Sequence, residues 1–150
     1  MNETTITRQV AQRNLTLTWT GFTILLTLVY FVQTVGNKYP GQNDEVWDWF
    51  SPFAFPTLTL MIGTWVAVNK STDPEQPKVD KLLYRLAMGA IIVYFLFIFG
   101  VIFSAPLAFM TNDTPAFEHL KKFTKPLSAV QAIVTAVLGY FFFRENKGTS

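Results

Sequence analysis

The sequence predicts an all-α integral membrane protein with four transmembrane helices, both termini in the cytoplasm, and a short interfacial helix in the second outer loop. Half of the 150 residues are hydrophobic and only 15% are charged, and the apolar residues gather in four long runs. Crossing a hydrocarbon core of about 30 Å takes roughly 20 helical residues. Backbone in lipid must satisfy its own hydrogen bonds, so each run should be a helix. The predicted spans are residues 15–36, 53–69, 82–105 and 126–143, within a single domain of residues 1–150.

The distribution of basic residues predicts the orientation of these spans. With the N-terminus inside, eight Lys and Arg residues lie on the cytoplasmic side and four lie in the outer loops. We expect the bacterial inner membrane as the location. The net charge of +2 is too small to indicate nucleic-acid binding, and there is no basic stripe with interleaved aromatic residues. No cysteine is present, which excludes thiolate chemistry and cysteine-based metal sites.

The first span carries a continuous polar face. Polar residues recur from Gln9 to Asn37 at alternating spacings of four and three, which places them on one side of a helix. The opposite side is almost entirely apolar. We expect this helix to extend into the cytoplasm, with a cap near Thr4 or Thr5, and to end near Gly36. The predicted pore-lining residues are Arg13, Thr16, Thr20, Thr23, Thr27, Tyr30, Thr34 and Asn37.

The first outer loop and the start of the second helix are marked by carboxylates and prolines. Asp44, Glu45 and Asp48 form an acidic patch, which is either a solvated surface or a collar that concentrates cations at a pore mouth. Proline disrupts a helix beyond its first turn, so regular helix is expected to begin near Pro56. The following cytoplasmic link is predicted to be a short exposed hairpin.

The third helix should end or kink at Pro106. In the second outer loop, Thr114 and Pro115 are expected to start a short surface helix in which Phe117, Leu120 and Phe123 recur every three residues. Small and hydroxyl residues at helical spacing predict close approach between helices. The predicted helix-packing residues are Thr59, Gly63 and Ala67 in the second helix, Gly100 and Ser104 in the third, and Ser128, Thr135 and Gly139 in the fourth, beside Gln131.

The sequence offers little for catalysis. His119 is the only histidine, and adjacent Glu118 would point about 100° away from it on a helix, so the two do not form a catalytic pair. Carboxylates that would work as an acid–base pair inside the membrane are missing from the spans. We therefore predict that the protein is not an enzyme and has no metal site and no cofactor.

Two interpretations of the polar face remain open. Its threonines bond to their own backbone or to a neighbouring helix, at about 1 kcal/mol or less each, or they form a wetted wall. Because the row from Arg13 to Asn37 contains no alanine and no glycine on that face, we favour a homo-oligomeric channel or pore whose first helix surrounds the path. Arg13 would then bias the cytoplasmic mouth toward anions.

Other functions are also compatible with the sequence. The chain is similar in size and architecture to small four-span membrane effectors of bacterial anti-phage defence. No shared motif identifies corresponding functional residues in this sequence. Such an effector or anchor subunit would contact a cytoplasmic sensor through residues Lys70–Arg85. An accessory subunit of a larger complex, or a small-solute carrier, is a third alternative.

Overall fold

The computed structural model describes the backbone of residues 5–69, 78–112 and 115–143, with side chains in these ranges except at 67–69, 106–112 and 143. These residues form five helices and two short strands. In chain order they are β1 (Thr5–Thr7), α1 (Arg8–Val35), α2 (Asn43–Asn69), β2 (Lys78–Asp80), α3 (Lys81–Asn112), α4 (Ala116–Lys122) and α5 (Thr124–Phe143).

Three of the helices have the length and composition of membrane spans. They are α1, α3 as far as Ala105, and α5 as far as Phe142. This agrees with an all-α protein located in a membrane. Among the described residues, α2 is not one of the helices apolar enough to cross a membrane. The side chains at its end, residues 67–69, lie outside the described residues. The number of crossings therefore stays a prediction.

The long helices form an up-and-down bundle in which α1 contacts α2, α3 and α5. Near its C-terminal end, α1 places Tyr30 against Trp47 and Phe50 from the start of α2. Closer to its N-terminal end, Trp19 reaches the Ala54 carbonyl, further along α2. The two helices therefore run antiparallel.

A two-stranded antiparallel sheet closes one end of the bundle, which we call the sheet end. Thr5 pairs with Asp80 and Thr7 pairs with Lys78. The predicted helical extension is thus wrong at residues 5–7, where threonines and isoleucine favour a strand once a partner strand is present; α1 begins at Arg8. Of the two predicted caps, Thr5 lies in β1 and Thr4 lies outside the described residues.

Two predicted helix boundaries are also wrong. The helix α2 begins at Asn43, so Pro52 and Pro56 lie inside it and the loop after α1 is shorter than expected. Its first turn holds Asp44 and Glu45, whose negative charge suits a helix N-terminus. The helix α3 continues past Pro106 to Asn112, so the predicted end near Ala105 is wrong, while the predicted alternative of a kink at Pro106 stays a prediction. Neighbouring helices can compensate for the backbone hydrogen bond that a proline removes in a membrane helix.

The short helix predicted in the second outer loop is present as α4, Ala116–Lys122, and its position at a membrane surface stays a prediction. Its Phe117 and Leu120 side chains are buried, and the expected cap Thr114 lies outside the described residues. Together with the turn between α1 and α2, α4 forms the end of the bundle opposite the sheet, which we call the turn end. Trp49 on α2 donates a hydrogen bond to Thr124 at the start of α5, 2.8 Å away, and ties these segments together.

Candidate functional site

The polar face of α1 separates into two lines of residues, and one of them lies inside the bundle. Thr16, Thr23 and Tyr30 are seven residues apart and keep only 2%, 2% and 0% of their surface exposed. Thr20 and Thr27 form a flanking line that is half-buried. The predicted pore-lining residues at the two ends, Arg13 and Asn37, are exposed.

The two lines differ in their hydrogen bonding. The Thr20 hydroxyl donates to the Thr16 carbonyl at 2.8 Å, and the Thr27 hydroxyl donates to the Thr23 carbonyl at 2.8 Å. These two threonines satisfy themselves within the helix, as the packing interpretation expects. In the described part of the protein, five buried polar atoms on this side of α1 have no hydrogen-bond partner. They are Gln12 Oε1, Thr16 Oγ1, Thr23 Oγ1, Tyr30 OH and Thr34 Oγ1.

These unpartnered atoms, which we call the polar row, extend over the depth of a membrane. Gln12 and Thr34 are separated by 22 residues, because 34 − 12 = 22, and this corresponds to about 33 Å along a helix. A buried polar group without a partner costs about 1–3 kcal/mol. Water or a polar solute is the chemistry that satisfies hydroxyl groups in such a position.

At the sheet end, α1 is attached to the end of α5. The Phe141 carbonyl accepts hydrogen bonds from Arg8 Nε at 3.0 Å and from Gln12 Nε2 at 2.8 Å. The same amide of Gln12 places its oxygen in the polar row. Both ends of the described chain therefore lie at the sheet end.

An aromatic cluster lies beside the polar row at mid-depth. The Trp19 ring stacks on Tyr94 with centroids 5.6 Å apart, and it meets Phe95 edge-on at 5.0 Å. Phe22 stacks on Phe95 at 4.8 Å. Because Trp19 and Phe22 belong to α1 and the others to α3, this cluster holds the two helices in direct contact.

Three neighbouring carbonyls of α2, those of Pro52, Phe53 and Ala54, bind side chains from three other helices; we call them the α2 carbonyl cluster. Gln131 Nε2 of α5 donates to Pro52 at 3.0 Å. The Tyr94 hydroxyl of α3 donates to Phe53 at 3.0 Å, and Trp19 Nε1 of α1 donates to Ala54 at 3.1 Å.

Proline chemistry explains where this cluster forms. Pro56 has no backbone N–H and so cannot bond to the carbonyl four residues earlier, that of Pro52. The carbonyl then needs another donor, which Gln131 supplies. This site was not predicted from the sequence. The signal that could have indicated it is a proline inside one apolar segment together with the polar residue Gln131 in another.

The predicted acidic patch and most of the predicted packing residues face outward. Asp44, Glu45 and Asp48 are exposed on the first turns of α2. Thr59, Gly63, Gly100, Ser128 and Thr135 are exposed, and Gly139 is half-buried. The Ala67 side chain lies outside the described residues. Among these predicted packing residues, and within the described part of the chain, only Ser104 makes a polar contact with another helix, with its hydroxyl 2.8 Å from His119 Nε2 of α4.

Among the described residues, no group of His, Cys, Asp and Glu could hold a metal ion. Comparison with protein-family models, curated proteins and solved structures finds no match for this chain.

Proposed function

We propose that the protein is a membrane channel whose permeation path follows the buried polar face of α1. The observation that carries this proposal is the polar row, with five unpartnered polar atoms spread over about 33 Å of one helix. An ordinary packing face would pair these hydroxyls or replace them by small apolar residues. A path that admits water or polar solute satisfies them.

Four crossings with both termini in the cytoplasm belong to this proposal. The antiparallel course of α1 and α2 supports a second crossing by α2, since Trp19 and Tyr30 contact it at two different depths. Arg8 and Phe141 meet at the sheet end, which is consistent with an even number of crossings. The excess of basic residues at this end favours the cytoplasmic side of a bacterial inner membrane.

The path that we propose lies inside each chain rather than between chains. Thr16 and Thr23 are covered by their own bundle, whereas Leu17, Ile24 and Leu28 on the other side of α1 are about half exposed. Such an apolar surface suits lipid, and a central axis shared by several α1 helices would place it in water. Homo-oligomer formation remains a prediction, for which exposed Thr59 and Gly63 on α2 offer a close-approach surface.

The chemistry of the path favours small polar solutes and weak ion discrimination. Hydroxyl groups both donate and accept hydrogen bonds and carry no charge. Arg13 at the sheet end and Lys38 at the turn end disfavour cations at both mouths. The aromatic cluster of Trp19, Tyr94 and Phe95 forms the barrier, so conduction requires α1 to move away from α3.

Conductance of the purified protein in planar bilayers tests the proposal. Thr16→Val and Thr23→Val together remove two hydroxyls of the polar row with almost no change in side-chain volume. We expect this pair to lower conductance at least tenfold. The matched control is Thr64→Val on α2, whose hydroxyl bonds to the Leu60 carbonyl of its own helix. Unchanged current in the double variant contradicts the proposed path.

We propose the effector or anchor function as the second candidate, because the sheet end offers a site for a cytoplasmic partner. In the part of the chain that the structure describes, β1 and β2 form a two-stranded sheet, and a strand of a partner can pair with an outer edge of it. A surface cavity of about 360 Å³ is lined by Thr5, Ile6, Thr7, Lys78 and Lys81. Affinity capture with Lys78→Glu and Lys81→Glu together should lose the partner, while Lys125→Glu near the opposite end should keep it. Equal capture by both variants contradicts this candidate.

A further inference from the structure

A second site lies at the turn end, in the segment that follows Thr34, the last residue of the polar row. There the turn after α1 faces α3 and the start of α4 across a partly open cavity of about 730 Å³. Most of the wall is apolar and includes Tyr39, Ala105, Ala116 and Phe117. The cavity is at the level of the surface helix α4, where a membrane would have its headgroup region.

Lys38 is the cation of this cavity. The backbone turn fixes its position, because Asn37 adopts a left-handed conformation with φ of 55° and the Lys38 N–H bonds to the Gln33 carbonyl at 3.0 Å. The ammonium group is half-buried and lies 3.5 Å from the Ile102 carbonyl. Among the described residues no carboxylate pairs with it.

Nearby groups add positive potential. Burial lowers the pKa of Lys38, and burial together with the Lys122 and Lys38 charges lowers the pKa of His119. The Lys121 ammonium lies 4.5 Å from the centroid of the Phe117 ring and pairs with Glu118. An anion placed in the cavity would offset the burial of the Lys38 charge.

In the described part of the chain, the polar groups that share the cavity with Lys38 carry no negative charge. The Tyr39 hydroxyl donates to the Gln33 side-chain oxygen at 2.8 Å, and burial raises the pKa of Tyr39 to about 12, so this phenol stays neutral. Among the described residues that line the cavity, the remaining polar side chains are the uncharged amides of Asn37 and Gln42. The cavity thus combines one half-buried positive charge with a mostly apolar wall.

We propose that this cavity binds an anionic lipid, with the phosphate on the Lys38 ammonium and an acyl chain against Ala105 and Phe117. A free phosphate ion would use the charge but leave the apolar wall uncovered. A neutral amphiphile would use the wall but not the charge. The combination selects a molecule with both features, and its position beside α4 gives access from the membrane surface.

The experiment uses the full chain in uncharged maltoside micelles and the NMR signal of His119, the only histidine of the sequence. Lyso-phosphatidylglycerol is titrated against lyso-phosphatidylcholine, which has the same chain and phosphate but no net charge, and against inorganic phosphate. We expect saturable binding of the anionic lipid that raises the pKa of His119, because a negative charge offsets that of Lys38.

Three variants make the result specific. Lys38→Gln should weaken binding of lyso-phosphatidylglycerol at least tenfold. Lys125→Gln, which removes an exposed lysine from the start of α5, should leave binding within twofold. A folded state is checked in each variant by the thermal unfolding midpoint. Ala116→Leu, which fills part of the cavity and keeps every charge, should also weaken binding.

Several outcomes would overturn the proposal. Equal binding of the zwitterionic lipid shows that the charge is not recognised, and an equal response to inorganic phosphate identifies a simple anion site. Unchanged binding by Lys38→Gln places the lipid elsewhere. Absence of any saturable response rejects the site outright.

Discussion

At the scale of single residues, His119 should make the stability of the protein depend on pH. The side chain is buried against Ser104 and Phe123. Burial and the charges of Lys122 and Lys38 lower its pKa in the folded state below the ordinary value of 6.5. The unfolded chain then binds a proton first as the pH falls, so this contribution to stability is complete above about pH 6.5 and decreases below it.

The measurement is the thermal unfolding midpoint at pH 8.0 and pH 5.5, in wild type and in His119→Gln. We expect wild type to lose more stability at the lower pH than the variant does, because the variant has no imidazole to protonate. Lys125→Gln changes a lysine that is not among the charges acting on His119, so this control should keep the pH dependence of wild type. The same pH dependence in wild type and His119→Gln would contradict the assignment.

Gln131 also acts as a single residue with a defined partner. Gln131→Leu removes the donor to the Pro52 carbonyl, which should destabilise the bundle by about 0.5–1.5 kcal/mol, the net contribution of an ordinary hydrogen bond, because this bond lies at the surface of the chain. Ser128→Ala, one turn earlier on α5, removes a hydroxyl that bonds only to the Thr124 carbonyl of its own helix. Denaturant titration in mixed micelles should show a clear loss for the first variant and little for the control.

At the scale of elements, Pro56 creates the need that Gln131 meets. Pro56→Ala supplies an N–H that can bond to the Pro52 carbonyl within α2. The loss caused by Gln131→Leu should then be smaller in a Pro56→Ala background than in wild type, and a double-mutant cycle measures the difference. Additive effects would show that the two residues act independently and that the proline does not determine the site.

The elements also show which parts of the fold can be predicted from a sequence. Periodicity located α1 and the amphipathic α4, because a helical face repeats within a few residues. The predictions based on proline put the start of α2 too late and the end of α3 too early. In a membrane bundle, neighbouring helices can supply the hydrogen bonds that proline removes, so the helices continue through these residues. The pairing of Thr5–Thr7 with Lys78–Asp80 was missed, because a three-residue strand has no signal until its distant partner is known.

At the scale of the whole molecule, the packing of the helices determines how much of the candidate site can be predicted from the sequence. Spacing identified the polar face of α1 correctly as one side of a helix. It could not tell whether this side meets a neighbouring chain or its own bundle, because periodicity fixes direction relative to the helix axis only. Packing of α1 against α2, α3 and α5 turns Thr16, Thr23 and Tyr30 inward. The α2 carbonyl cluster depends on three helices at once and needs the folded molecule.

The proposed path inside each chain can be separated from a path between chains by cysteine chemistry. The protein has no cysteine, so Thr23→Cys and Ile24→Cys each introduce the single thiol of the chain, and no other thiol can react. A path inside the bundle predicts that a small water-soluble thiol reagent modifies Thr23→Cys and blocks current, while Ile24→Cys on the exposed apolar side remains unmodified in lipid. Thr23→Cys should also form no disulfide between chains under oxidation, because its own bundle covers it. Cross-linking of Thr23→Cys between chains would instead support α1 helices around a shared axis, and modification of Ile24→Cys alone would place the wetted side of α1 opposite to the polar row.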